Sequence, residues 1–165
     1  MVNTAQGKGG SGGRIEALQE LNADGEVLVG VDVKGAFLQG IRLPKADLHR
    51  ANFEDADLRN AMFASADLQF VDFKNSNLRK AGLDHADLQW ADLTDTDLVE
   101  ADLAGADLLG ANLTNADLRN AYLAAVKWAQ IKSIAGANIY GVKNAPPGFV
   151  EWAIKNKAIS VKGEE

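Results

Sequence analysis

The histidines and the acidic residues are the side chains whose types could do chemistry in this chain of 165 residues. His49 and His85 lie at unrelated places in different repeats, and the sequence contains no cysteine that could join them in a metal site. Pairs such as Asp95 and Asp97 recur only because the surrounding segment repeats. No phosphate-binding glycine loop, HExxH motif or nucleophile elbow is present. The sequence therefore predicts no catalytic, cofactor-binding or metal-binding residue, and we do not expect an enzyme.

A five-residue repeat determines the elements that must position any functional side chain. Blocks such as ADLHR, ANFED and ADLQF follow one another without an insertion, and the strict register covers residues 31–125. The central residue of these nineteen blocks is Leu in fifteen, Phe in three and Val in one. The residue two before it is Ala in fourteen blocks. Large and small apolar residues at this spacing indicate one buried side of an extended chain.

A period of five residues fits neither a helix nor a flat strand. In a helix, successive central residues would rotate by about 140° around the axis, so they would form no apolar stripe. In a flat strand, alternate central residues would face opposite sides, because five is an odd number. The chain must therefore turn once per block, always in the same direction, which predicts a solenoid.

The A(D/N)LXX repeat resembles that of the pentapeptide-repeat family, with Asp or Asn before the central residue in fourteen of the nineteen blocks. The resemblance implies an all-β solenoid, a right-handed quadrilateral β-helix with four blocks per coil, and we expect short α-helical caps at both ends. Recurrences twenty residues apart fit such a coil, for example Phe53 with Phe73 and Arg59 with Arg79. The short repeat rod, the expected helical caps and the tail ANIYGVKNAPPGFVEWAI together also resemble the small pentapeptide-repeat proteins of cyanobacteria, most of which lack an assigned biochemical role.

We expect four segments along the chain. Residues 1–13 are rich in Gly and Ser and predict a flexible tail. Residues 14–24 have Ile and Leu at helical spacing and predict an N-terminal helical cap. Residues 25–141 form the β-helix, with one extra residue bulging after Trp128. Residues 142–165 form a C-terminal helical cap and tail, because a solenoid end needs a cover for its unpaired backbone groups.

An aromatic strip on the outside of the solenoid is the candidate protein-contact site. Phe70 and Trp90 occupy equivalent outward corners one coil apart, and Leu109 follows one coil further. The repeat does not require large apolar side chains there, and aromatic residues are enriched at the centres of protein interfaces. The alternative interpretation is that Phe70 and Trp90 only stack on each other and stabilise the rod.

The C-terminal helix offers a second candidate contact. Phe149 and Trp152 lie on one face of the predicted helix that follows Pro146 and Pro147. They either complete a cap on a monomer or form a dimer through the C-terminal cap, as the tails of some quinolone-resistance members of the family do.

The acidic balance of the repeat also has two interpretations. Residues 31–125 carry sixteen Asp or Glu against nine Lys or Arg, and eleven of the acids are the Asp of the motif. Some members of the family imitate duplex DNA, so the resemblance implies binding of DNA gyrase or another type II topoisomerase as the alternative function. A short carboxylate or amide beside each corner can instead hydrogen-bond the backbone, which would make the motif Asp structural.

The sequence as a whole predicts a non-enzymatic scaffold that mediates protein–protein interaction with an unidentified protein partner. Direct binding of nucleic acid is not expected. No stretch reaches the length of apolar residues needed to cross a membrane, and the N-terminus lacks the apolar core of a signal peptide. The absence of cysteine is compatible with a reducing cytoplasm but is not diagnostic of it, and from these features together we expect a cytoplasmic protein.

Overall fold

Each repeat forms one side of a four-sided coil. The computed structural model describes residues 13–163, so the predicted flexible tail lies outside the described residues except for Gly13. Parallel bridges join residues twenty apart, for example Asp67 with Asp87. Four pentads therefore complete one coil, and the quadrilateral β-helix expected from the sequence is confirmed. The five-residue register begins at Glu26 and continues to Gln130.

The pentad from Ala86 to Trp90 illustrates how the chain turns; we number its positions 1 to 5. The side chains at positions 1 and 3 face the axis, and Ala86 and Leu88 are 1% and 0% exposed. Positions 4 and 5 form the corner, which is closed by a 3.1 Å hydrogen bond from the Ala91 N–H to the Leu88 carbonyl. Position 5 has a positive φ, 61° at Trp90. This combination is typical of a type II turn.

The same pentad shows why Asp or Asn occupies position 2. The N–H groups of Leu88 and Trp90 donate to the next coil, that of Asp87 donates to the previous coil, and that of Ala86 closes the preceding corner. The remaining N–H, that of Gln89, donates to Oδ1 of Asp87 at 3.1 Å. All fourteen Asp and Asn residues of the strict register accept this bond, at 3.0–3.3 Å. The motif Asp is therefore structural, because it satisfies the one backbone N–H that the coil leaves unpaired.

The coil has four walls, which we call faces 1 to 4 in chain order. Two central residues identify each face: Leu68 and Leu88 for face 1, Phe73 and Leu93 for face 2, Leu78 and Leu98 for face 3, and Leu83 and Leu103 for face 4. The core between the faces is filled mainly by Leu and Ala, and it includes an aromatic cluster on the N-terminal side. Phe53, Phe63 and Phe73 form this cluster, with ring centroids 5.3–6.1 Å apart.

Helix α1, Arg14–Ala23, closes the N-terminal end of the rod. Leu18 is completely buried against the first coil. Oε1 of Gln19 accepts a hydrogen bond of 2.8 Å from the N–H of Arg42, a group that in later coils donates to the preceding coil. Helix α1 thus replaces a preceding coil on face 4. Within residues 13–163, no helix is long and apolar enough to cross a membrane.

The register shifts once near the C-terminal end, at the bulge that the sequence predicted. Lys132 and Ser133 both lie opposite Asn112, since the Lys132 N–H donates to Ala111 while the Ser133 carbonyl accepts from Leu113. Two residues opposite one define a β-bulge. Beyond it, bridges join residues twenty-one apart, such as Asn112 with Ser133.

Helix α2, Phe149–Lys155, covers the C-terminal end of the core beside Trp128. The chain then returns to face 3, where Ile159 forms a parallel bridge with Asn138. The sequence analysis assigned residues 142–165 to a cap and tail. The structure adds two strand positions to that segment, since Lys143 forms a parallel bridge with Tyr122 and Ile159 forms one with Asn138. The returning strand at Ile159 has no neighbouring repeat that would reveal it in the sequence.

Candidate protein-contact surface

Four residues stack along the corner between faces 1 and 2, and we call Arg50, Phe70, Trp90 and Gly110 the aromatic corner. They occupy position 5 in consecutive coils, with φ between 56° and 69°. The Arg50 guanidinium carbon lies 5.7 Å from the Phe70 ring centroid. The Phe70 and Trp90 rings stack with centroids 6.4 Å apart and an interplanar angle of 14°. The Trp90 ring then lies against Gly110, in space that a Cβ at that residue would occupy.

The structure brings Phe70 and Trp90 together at the surface, where they are 47% and 51% exposed. The Phe70 ring lies between the Arg50 guanidinium and the Trp90 ring, and the Trp90 ring lies over Gly110. Leu109 is partly buried beside the corner and lines a shallow cleft with Trp128. Stacking therefore accounts for the orientation of the two rings. Contact with a partner protein stays a prediction, which the exposure of both rings permits.

Aromatic residues are costly at position 5. A left-handed backbone conformation costs about 1–2 kcal/mol for most residues and little for Gly, Asn or Asp. Many other corners follow this preference, for example with Gly105 and Asn115, but Lys80 and Glu100 also occupy position 5 with positive φ. Stacking of Phe70 on Trp90 offsets part of the cost, since aromatic pairs contribute about 0.5–1.5 kcal/mol. Turn chemistry does not explain why this corner carries aromatic residues.

Both histidines contact neighbouring corner residues. The His49 ring meets Phe70 edge to face, with centroids 5.4 Å apart. The His85 ring lies over Gly105, on the corner between faces 4 and 1. Among residues 13–163, no group of three or more His, Asp or Glu side chains is arranged to hold a metal ion.

A column of aspartates runs along face 1 beside the aromatic corner. Asp47, Asp67, Asp87 and Asp107 occupy position 2 in consecutive coils and are joined by parallel bridges. Lys127 pairs with Asp107 at 2.9 Å. The other three have no ion pair with any residue of 13–163. Neighbouring strands lie about 4.8 Å apart, so these carboxylates repel one another.

The position 2 acids of face 3 are, in contrast, all paired with arginine. Asp57 contacts Arg59 at 2.6 Å and Asp97 contacts Arg79 at 3.2 Å, and Asp117 pairs with Arg119. The hydrogen bond from Arg59 lowers the pKa of Asp57, although partial burial opposes this effect. The recurrence of Arg59 and Arg79 twenty residues apart places both arginines on one face, but which carboxylates stay unpaired depends on which long side chains reach them.

The C-terminal candidates Phe149 and Trp152 belong to the cap. Phe149 is only 2% exposed and meets Trp128 edge-on, with centroids 5.8 Å apart. Trp152 is partly buried, and its ring centroid lies 5.2 Å from that of Trp128. Phe149 is therefore inaccessible to a partner. The outward side of α2 instead exposes Val150 and Ile154, at 41% and 47%. Their spacing of four residues was the signal that the sequence analysis overlooked.

Comparison with known proteins agrees with this architecture. A family model described as the pentapeptide repeat region matches residues 36–113. No curated protein matches the chain.

Several solved structures resemble the chain. The pentapeptide repeat protein Rfr23 of the cyanobacterium Cyanothece 51142 is 30% identical, with 64% of this chain and 63% of that chain covered and a TM-score of 0.44. HetL of Nostoc sp. strain PCC 7120, involved in heterocyst differentiation regulation, is 25% identical, with 73% and 70% covered and a TM-score of 0.28. QnrB1, a plasmid-mediated fluoroquinolone resistance protein, is 16% identical, with 78% and 76% covered and a TM-score of 0.41.

The chain thus spans less than two thirds of the length of Rfr23. Since all three TM-scores are below 0.5, we draw nothing about function from these likenesses. The unbroken ADLxx register, the coil of four pentads and the match to the repeat model over residues 36–113 show that this protein contains a pentapeptide repeat region.

Proposed function

We propose that the protein is a non-enzymatic scaffold that binds a protein partner along the aromatic corner. The observation that carries the proposal is the exposure of Phe70 and Trp90, 47% and 51%, at corner positions where φ is positive. A residue such as Asn would form this corner at lower cost, so the fold alone does not account for two large apolar side chains there.

The surroundings of the aromatic corner support the same proposal. Asp67 and Asp87 lie in the same face 1 pentads as Phe70 and Trp90, and they have no ion pair within residues 13–163. An apolar centre with polar groups at its rim is the usual arrangement of a protein interface. Aromatic residues at such a centre contribute a large share of the binding free energy.

The test compares the double variant Phe70→Ser/Trp90→Ser with Met62→Ser. Met62 is 42% exposed at position 2 of face 4, away from the aromatic corner, so it is a control for loss of an exposed apolar side chain. A partner captured with the wild type from the source cells is purified, and its affinity is measured for all three proteins. We expect the double variant to bind at least about tenfold more weakly, and the control to bind normally.

Circular dichroism first establishes that each variant keeps the fold. If the folded double variant binds the partner as tightly as the wild type does, the aromatic corner serves only to stabilise the rod.

A second candidate function is binding of DNA gyrase or another type II topoisomerase by imitation of DNA. The aspartate column of face 1 favours it, because Asp47, Asp67 and Asp87 present unneutralised charge at a regular spacing. The paired acids of face 3 argue against it, since a mimic of DNA needs long anionic stripes. A gyrase supercoiling assay decides: inhibition that is lost in Asp47→Asn/Asp67→Asn/Asp87→Asn would favour this function over the scaffold.

A further inference from the structure

The two ends of face 3 have complementary open edges. At the N-terminal end, the N–H and carbonyl of Phe37 and the carbonyl of Gln39 have no hydrogen-bond partner within residues 13–163. At the C-terminal end, the carbonyl of Ala158 and the N–H groups of Ser160 and Lys162 are likewise unpaired among the described residues. Inside the rod, the equivalent groups pair from one coil to the next.

The unpaired groups match in the register that the solenoid itself uses. Within the rod, a position 2 N–H donates to the position 1 carbonyl of the previous coil, and a position 2 carbonyl accepts from the position 3 N–H of that coil. Suppose that the first coil of a second copy lies beside the Ile159 strand of the first copy. The Phe37 N–H of the second copy would then donate to the Ala158 carbonyl of the first. The N–H groups of Ser160 and Lys162 of the first copy would donate to the carbonyls of Phe37 and Gln39 of the second. All three bonds repeat an existing pattern.

The side chains at the two edges also match. Position 2 of face 3 is polar throughout the middle of the rod and is apolar only at its two ends, at Phe37 and Ile159. These two residues are 58% and 45% exposed. Exposed edge strands with apolar side chains are sites of pairing with another chain. In a head-to-tail junction, Phe37 of one copy would lie beside Ile159 of the other and both would lose contact with water.

Neither helical cap covers the ends of face 3. Helix α1 is tied to face 4 through Gln19 and Arg42, and α2 rests on Trp128 of face 1. The exposed side of α1 carries Glu16 and Glu20, which have no ion pair within the described residues.

The edge strand at the other end is flanked by exposed lysines, Lys157 and Lys162. Like charges at the C-terminal edges oppose a symmetric contact there, whereas the acidic helix and the basic strand attract each other in a head-to-tail contact.

We propose that copies of this chain associate head to tail, by pairing the Ile159 strand of one copy with the first coil of the next along face 3. The contact uses two different patches of the surface, so it is heterologous and generates an open series of oligomers and not a closed dimer. The proposal uses a different surface from the aromatic corner and does not depend on a partner protein.

The test uses one variant for each end: Phe37→Lys blocks the N-terminal edge and Ile159→Lys blocks the C-terminal edge. Met62→Lys is the control, because Met62 is 42% exposed at position 2 of face 4. Sedimentation velocity over a range of concentrations should show the wild type and the control growing beyond dimers. Each edge variant alone should weaken association by at least about tenfold. An equal mixture of the two should form a discrete dimer, since only one junction remains available.

Other outcomes overturn the proposal. A wild type that stays monomeric up to about 1 mM has no such junction. A Phe37→Lys variant that still dimerises identifies a symmetric C-terminal contact. A mixture of the two edge variants that stays monomeric, while each variant keeps its fold by circular dichroism, excludes head-to-tail pairing.

Discussion

Asp67 both stabilises the fold through a hydrogen bond to the backbone and destabilises it through charge repulsion. Its Oδ1 accepts the Gln69 N–H at 3.0 Å, while Asp47 and Asp87 carry like charges in the adjacent coils. Asp67→Asn keeps the acceptor and removes the repulsion, so we expect a higher melting temperature. Asp67→Ala leaves the Gln69 N–H without this acceptor and should cost about 1 kcal/mol. Thermal unfolding of the three proteins checks this prediction. A lower melting temperature for Asp67→Asn would show that repulsion within the column is negligible.

The Asp57 and Arg59 pair makes stability depend on pH at another single position. Because the hydrogen bond from Arg59 lowers the pKa of Asp57 in the folded state, the pair stabilises the protein above the unfolded pKa of about 4. This stability is lost as the pH falls through the folded pKa. Arg59→Gln should therefore lower the melting temperature at about pH 7 and have little effect near pH 2. Arg42→Gln is the control, since Arg42 has no ion pair within residues 13–163. A pH-independent effect of Arg59→Gln would mean that Arg59 acts through packing.

At the scale of the element, the free-energy cost of a side chain at a corner depends on which residue of the neighbouring coil lies over that corner. Gly35 and Gly110 both have positive φ, 64° and 69°, but only Gly110 lies beneath the Trp90 ring. Gly110→Ala should therefore lower the melting temperature more than Gly35→Ala, which adds a methyl group in open space. In a Trp90→Ala background the two substitutions should cost the same. Equal costs in the wild-type background would show that Trp90 moves aside freely.

The sequence predicts elements well where neighbours repeat and poorly where contacts are solitary. The pentad corners and the bulge near Ser133 follow from spacing, because every neighbouring coil repeats the same constraint. The burial of Phe149 and the return of Ile159 to face 3 depend on contacts with Trp128 and Asn138, far away in the chain. No local pattern records such contacts, so a helix with two aromatic residues could equally have been a cap or an interface.

At the scale of the whole molecule, the period of twenty residues predicts which residues share a face, including Phe70 with Trp90. It does not predict which charges remain unneutralised. Arg59 reaches the carboxylate two residues earlier, whereas Arg79 reaches Asp97 in the next coil. Side-chain conformation makes this choice, so the anionic column of face 1 emerges only from the structure.

The faces of the first coil should differ in local stability, because the N-terminal helix covers only one of them. Asp32, Phe37 and Arg42 occupy the same position in the first coil, but only the Arg42 N–H has an acceptor, Oε1 of Gln19, within residues 13–163. In dilute solution, the Arg42 amide should therefore exchange slowly with deuterium, and those of Asp32 and Phe37 rapidly. Gln19→Ala should remove the protection at Arg42, and nuclear magnetic resonance can follow all three amides individually.

Concentration separates the effect of the cap from that of head-to-tail association. Raising the protein concentration should slow exchange at Phe37, whose N–H lies at the proposed junction on face 3, and leave Asp32 on face 2 unchanged. The Ile159→Lys variant should abolish this slowing while keeping Arg42 protected, because α1 remains in place at the other end of the chain. Slow exchange at Asp32 and Phe37 in dilute solution, like that at Arg42, would contradict the assignment of open edges, since both amides would then have partners within a single chain.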